Sequence, residues 1–208
     1  MYDTVTGIIL AGGENKRIKT TDNKAFLKVG GRRIFDYVYD VMRALFSEIV
    51  IVTNKPLDYL EWNAKIITDI FDERSSLTGI QAGLSFIQTE YAFVCSCDAP
   101  FLKKAMVELL LSKMGPETDV VVPKVTKGLE PLCAIYGKRC LKVMENNLKQ
   151  KKLAIRASYQ SLRVKIIEEA VLRQCDPELI SFFNINTRED LEEAQKHFTT
   201  INLQTDSP

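Results

Sequence analysis

Val5-Thr6-Gly7-Ile8-Ile9-Leu10 runs without a break into Ala11-Gly12-Gly13. An uncharged, mostly β-branched stretch of this length predicts a strand buried on both faces, the kind found in parallel sheets covered by helices. Two glycines directly after the strand let backbone N–H groups turn toward an anion with no Cβ in the way. Glu14-Asn15-Lys16-Arg17 comes next, and then Lys24, so Arg17 and Lys24 are cations available to a phosphate chain. A strand-to-loop turn with solvated charges accounts for the same residues. The spacing is neither GxxxxGK(S/T) nor GxGxxG, which excludes a P-loop and a dinucleotide fingerprint.

The pattern continues outward from this strand. Ile34, Val38, Val41, Met42 and Leu45 recur at helical spacing. Residues 48–53 (EIVIVT) predict a second strand, stopped by Asn54-Lys55-Pro56, and residues 65–68 a short third. Leu77, Ile80, Leu84 and Ile87 mark another helix, with Thr78 and Gln81 spaced as a capping box. Residues 91–97 form a fourth strand that ends at Asp98-Ala99-Pro100, followed by a helix over about residues 103–113 and a strand over 119–125. This alternation predicts an α/β fold of three layers, a mostly parallel twisted sheet with helices on both faces.

The rhythm then changes. Gly128-Leu129-Glu130 reads as a turn, and the strand over residues 131–136 comes too soon after it for a helical crossover, so that pair is expected to be antiparallel. Leu141, Met144 and Leu148 make a further helical stripe, and residues 164–167 a late strand. Thr187 opens the last helix, with Asp190 three residues on and Leu191, Ala194 and Phe198 along one face. Residues 1–198 are expected to form a single domain, and the polar residues 199–208 a disordered tail.

Composition narrows the function. A chain of 208 residues, 46% hydrophobic and 26% charged, can bury a sizeable core as one domain. A formal charge of +1 argues against an extended nucleic-acid surface. The five cysteines are odd in number and sit mostly in apolar runs, as free thiols of a reducing compartment do. No CxxC pair occurs and His197 is the only histidine, which argues against structural zinc. There is no basic-then-apolar leader and no apolar run of ~18 residues, so the expectation is a cytoplasmic protein with no membrane span. His197 reads as a surface partner of the last helix's C-terminal dipole, and Lys149-Gln150-Lys151-Lys152 as a solvated patch.

Two further segments sit where an open α/β sheet binds ligands, beyond the carboxyl ends of its strands. Asp98, at the end of an otherwise uncharged strand, is either a Mg²⁺ ligand or a turn or cap residue before proline. Asn184 and Asn186 alternate with apolar residues, so both amides point to one face of an extended segment. They suit a metal or substrate shell, and equally a turn leading into the last helix. Cys95 and Cys97 alternate beside Asp98, but no histidine is available to activate a nucleophile, so both read as core thiols.

Taken together, these segments resemble the molybdenum cofactor guanylyltransferase (MobA-like) family, within the wider GT-A-like Rossmannoid (nucleotide-diphospho-sugar transferase) fold. LAGGENKR at residues 10–17 is similar to the family's LAGGxSxR, and KAFLKVGGRRI at 24–34 to its KAxLxxxGxP stretch. LTGIQAGL at 77–84 is similar to PLAGIxxGL, CDAPFL at 97–102 to CDxPFL, EPLCAIY at 130–136 to xPLxALY, and FNINTREDLEEA at 183–194 to NxNTPEDL. The resemblance implies transfer of GMP from GTP to molybdopterin, with release of pyrophosphate and with Mg²⁺ as cofactor. It implies that Leu10, Ala11, Gly12, Gly13, Asn54 and Asp69 recognise guanine and ribose. Arg17 and Lys24 would hold the triphosphate, Asp98 the metal, and Gly79 would let the backbone approach the nucleotide. Asn184 and Asn186 would line the acceptor or metal side. Molybdenum-cofactor delivery proteins and acceptor molybdoenzymes are the implied partners, with no nucleic acid. The family's RMGxDK stretch is replaced by a longer segment, residues 17–24, without the glycine and with Asn23 before the lysine. The alternatives are a transferase using CTP or another acceptor, and a non-catalytic GTP-binding adaptor of the same fold.

Overall fold

A computed structural model describes residues 1–12 and 23–205, with side chains as far as Thr199. Strand β1 (Val5–Leu10) is followed, beyond residues 13–22, by a small antiparallel hairpin of β2 (Lys28–Val29) and β3 (Arg32–Arg33). Helix α1 (Ile34–Leu45) leads to β4 (Ile49–Val52) and β5 (Lys65–Ile67); α2 (Ser76–Phe86) leads to β6 (Tyr91–Ser96) and α3 (Lys104–Leu111) to β7 (Val120–Val125). Then come β8 (Gly128–Leu129), β9 (Cys133–Gly137), α4 (Cys140–Lys149), β10 (Val164–Glu168), α5 (Glu169–Leu172) and α6 (Arg188–Thr205).

The main sheet has the order β10-β7-β9-β6-β1-β4-β5, with β8 paired to β7. β1 runs parallel to β4 and β6, β4 to β5, and β7 to β10. β9 runs antiparallel to both β6 and β7. The expected α/β architecture, mostly parallel with an antiparallel insertion, is what the chain forms. Period-two alternation divides each central strand between two cores. Val5 and Ile9 of β1 enter one and Ile8 and Leu10 the other, and in β4 Ile49 and Ile51 face Phe35, Val38 and Met42 of α1 while Val50 and Val52 face α2. Each such side chain, once fully buried, contributes roughly 1.5–3 kcal/mol. The helices lie close: a Cβ on Gly7 would stand 2.8 Å from Met42 Cε of α1, and one on Gly83 of α2 would stand 2.7 Å from Ile8 Cδ1.

Several local readings change. The N-cap of α2 is Ser75, whose side chain accepts the Thr78 N–H; Thr78 and Gln81 lie inside the helix instead of forming a capping box. Gly128 and Leu129 are paired residues of β8, and the turn falls one step earlier, at Thr126-Lys127. The capping box at Thr187 is present: Asp190 N donates to Thr187 Oγ1 at 3.1 Å, and Thr187 N to Asp190 Oδ2 at 2.8 Å. Helix α6 continues to Thr205, into the segment expected to be a tail. His197 is therefore mid-helix, not at a terminus, and packs edge-on to Phe101 at 5.6 Å. The β2–β3 hairpin leaves no periodic signal in the sequence, because two-residue strands are too short to show alternation.

Topology places the site. From β1 the chain builds outward through β4 to β5, then returns across the sheet to lay β6 on the other side of β1. The change of direction opens a crevice at the carboxyl ends of β1 and β6. A third, smaller core of Val29, Ile34, Phe101, Ile185 and Ala194 ties the hairpin, the loop after β6 and the segment before α6 to the rim of that crevice.

Candidate active site

At the ends of the central strands, Cys97 N donates to Leu10 O at 3.1 Å and Ala11 N to Val52 O at 2.8 Å. Leu10, Ala11 and Gly12 thereby form the floor of a cavity of about 420 Å³. Among the described residues, a Cβ on Gly12 would meet nothing within 4 Å, so their packing does not demand glycine there. Gly79 differs: a Cβ would lie 3.2 Å from Leu10 Cδ2, so close contact of α2 with β1 accounts for part of its need. Gly13 and Arg17 lie outside the described residues.

Asp98 occupies the centre. It is a turn residue and not a helix cap, since α3 starts only at Lys104. Its Oδ1 accepts from Ser96 Oγ at 2.5 Å and its Oδ2 from Lys24 Nζ at 2.5 Å. Lys24 Nζ also donates to Asn186 Oδ1 at 2.9 Å. Only 16% of the Lys24 side chain and 13% of the Asp98 side chain are exposed, so the pair interacts in a partly dehydrated setting where charge is felt more strongly than in bulk water. The backbone makes the same connection, with Ile185 N donating to Asp98 O at 2.9 Å. The fold has thus joined Lys24, Asp98 and Asn186. Asn184 does not line the cavity, and its amide donates to Phe182 O at 3.2 Å.

Asp69 lines the cavity on the β4–β5 side. Asn54 does not line the cavity but is bonded to Asp69, donating from Nδ2 to Asp69 Oδ2 at 2.7 Å and accepting Asp69 N on Oδ1 at 3.3 Å. Arg74, Ser75 and Ser76 also line the wall, at the N-terminus of α2, and sequence reasoning missed them. The serines before the apolar run of that helix were the available signal. Ser96 was missed as well, although it closes β6 only two residues before Asp98.

The thiols are poor nucleophiles. Burial, followed by the neighbouring Asp98 charge, pushes the Cys97 thiol up to about 12, and burial raises Cys95 well above its ordinary value. All five cysteines are free. Among the described residues no three His, Cys, Asp or Glu side chains gather to hold a metal ion, and no helix is long and apolar enough to cross a membrane. The cavity offers instead the Asp98 carboxylate and the Asn186 amide oxygen, both bonded to the Lys24 ammonium group, with the Asp69 carboxylate on the β4–β5 side.

With this geometry in place, comparison with known proteins is decisive. Residues 7–165 match the family described as the MobA-like NTP transferase domain. The chain belongs to that family. A molybdenum cofactor guanylyltransferase of Desulfosudis oleivorans is 51% identical over 193 residues, spanning 93% of this chain and 95% of that one. The crystal structure of molybdopterin-guanine dinucleotide biosynthesis protein A from Archaeoglobus fulgidus superposes with a TM-score of 0.82 at 28% identity, covering 94% of this chain and 100% of that one. The 4-diphosphocytidyl-2C-methyl-D-erythritol synthase of Anaerococcus prevotii, at 14% identity and a TM-score of 0.68 over 95% of this chain and 99% of that one, shares the fold alone. This MobA-like chain is a nucleotidyltransferase of the molybdenum cofactor guanylyltransferase family.

Proposed function

We propose that the cavity binds GTP and Mo-molybdopterin and joins GMP to the terminal phosphate of the pterin. A phosphate oxygen of the acceptor forms a bond to the α-phosphorus of GTP, the bond from that phosphorus to the bridging oxygen breaks, and pyrophosphate leaves. The nucleophile is already anionic at neutral pH, so the site needs positioning and charge stabilisation more than a general base. The observation that carries this reading is the Lys24–Asp98–Asn186 cluster at the end of β1 and β6, in a chain of this family.

Each residue then has a task. Leu10, Ala11 and Gly12 form a surface on which the nucleoside can lie without meeting a side chain at Gly12. Asp69, fixed by Asn54, offers carboxylate oxygens to the base or ribose. Gly79 closes that end. Lys24 pairs with triphosphate oxygens, aided by Arg17 and by Arg74 on the wall. Asn186 faces the acceptor side, and Asn184 stands behind it as a local brace. Mg²⁺ takes one or two protein carboxylates and completes its octahedron from water and phosphate oxygens, and a lone Asp98 beside an amide oxygen fits that demand. When bound, the ion would supply positive charge to the phosphate oxygens. Delivery proteins that bring the cofactor and molybdoenzymes that receive the product are the partners this reaction calls for, and the cytoplasm is where we place it.

The test is pyrophosphate release with Mg²⁺ and molybdopterin-loaded acceptor, run in parallel with GTP, CTP, ATP and UTP. Release confined to GTP is the expected result. Release with CTP instead would change the product, and GTP binding without release would mark a non-catalytic binder.

A further inference from the structure

Behind the segment that carries Asn186 lies a carboxylate that the proposed reaction does not use. Asp176 is fully buried. Its Oδ2 accepts Ser181 N at 2.8 Å, and its Oδ1 stands 2.7 Å from Lys103 Nζ, an ion-pair contact without an aligned hydrogen bond. Ser181 Oγ in turn accepts Lys103 N at 3.1 Å. A buried charge is costly unless paired and hydrogen-bonded, so this arrangement persists only while all three residues stay in place.

The connections run in a particular direction. Lys103 closes the loop that starts at Asp98, and Ser181 begins the segment that reaches Asn186. The two segments are joined at one end by Ile185 N to Asp98 O, 2.9 Å, and at the other by the Asp176 knot. Between these points Phe101 meets Phe183 edge-on at 5.7 Å, and Ile185 is wholly buried. Apolar contacts of this kind tolerate sliding, whereas an ion pair with directional bonds does not. On the far flank, Asp190 Oδ2 accepts Asn186 N and Thr187 N, each at 2.8 Å.

The geometry points to Asp176 as a positioning residue that, through Lys103 and Ser181, sets where the Asn186 amide oxygen stands against Lys24 and Asp98. It does not line the cavity. The inference rests on the guanylyl-transfer reading for its kinetic consequence, but its structural consequence can be measured without turnover.

Asp176→Asn is the variant of choice. The amide oxygen can still accept Ser181 N, and Lys103, 42% exposed, can turn its freed ammonium to solvent, so the chain keeps its fold. The expected result is a fall in kcat for pyrophosphate release of about tenfold, from a small displacement at the reacting groups. GTP affinity stays within about twofold, because the residues proposed to hold the nucleoside, Leu10 to Gly12 and Asp69, belong to other elements than the knot. Asn186→Ala should cost the same order, and the double variant no more than Asn186→Ala alone, the signature of residues acting through one another. Independently of turnover, hydrogen exchange at the Ile185 amide should quicken by about tenfold while the amides of β1 keep their protection. Unchanged Ile185 exchange, or kinetic effects that multiply in the double variant, would overturn the assignment. If Asp176→Asn does not fold, Ser181→Ala removes only the hydroxyl that accepts Lys103 N and must shift exchange and kcat in the same direction. A wild-type protein that binds GTP without releasing pyrophosphate would sink the reaction, and the exchange measurement would still decide the positioning claim.

Discussion

Two carboxylates at opposite ends of the sheet each pair with a cation. Asp119, just before β7, lies at the amino ends of the strands; Asp98, just after β6, lies at the carboxyl ends. Asp119 is saturated: Oδ2 accepts Arg163 N at 2.9 Å and Arg163 Nε at 3.1 Å, while Oδ1 accepts Arg163 Nη2 at 2.7 Å. These bonds, led by the side-chain ones, hold its carboxyl below the ordinary aspartate value against the opposing effect of burial. Asp98 receives a serine hydroxyl and a single ammonium group, and it borders an open cavity. A planar guanidinium locks a carboxylate bidentately, whereas a lysine is a point charge on a flexible stem that can exchange partners. Saturation, not the presence of an ion pair, separates a structural carboxylate from one free to take a ligand.

The largest expected effect tests that distinction at its open end. Asp98→Asn should lower pyrophosphate release from GTP by about two decades, equal to roughly 3 kcal/mol of lost charge stabilisation, with the thermal midpoint nearly unchanged. A fall in midpoint with activity intact would reverse the two roles. Next comes Lys24→Met, which removes the exchangeable cation while keeping the aliphatic stem. It should cost about tenfold in kcat/KM for GTP, read from initial rates, because a charged contact to the triphosphate is lost.

The smallest effect belongs to the saturated end. Asp119→Ala should leave kcat untouched and lower the melting temperature by roughly 2–5 °C. The pH dependence sharpens this. Because the folded-state value of Asp119 is depressed, its contribution is present above about pH 4 and disappears as pH falls through that lowered value. Melting curves of wild type and Asp119→Ala should therefore converge as the pH is taken below about 4. Midpoints that remain separated by the same interval down to about pH 2 would show that Asp119 contributes through packing and not through its charge.

Much of this was legible in the linear chain. Residues 5–10 and 91–97 announce buried strands by their uncharged, mostly apolar character, and the tripeptides Ala11-Gly12-Gly13 and Asp98-Ala99-Pro100 mark where those strands end. Thr187 and Asp190 declare their cap by spacing alone. Local errors arose where two signals compete: Thr78 and Gln81 have the spacing of a capping box, but Ser75 stands earlier and reaches the free N–H first. Arg74 and Ser76 had no periodic signature at all, because lining a cavity requires no repeat.

The sequence by itself determined most of what a short period governs: strands that alternate between two cores, helices with one apolar face, and the glycines and the aspartate at the strand ends. Only the tertiary structure decided that Asn186, and not Asn184, meets Lys24, a contact spanning 162 positions. It alone also set a buried Asp176 behind them. Period and capping act over a few residues, whereas these meetings depend on strand order and on how loops from distant elements pack, and no local pattern encodes that.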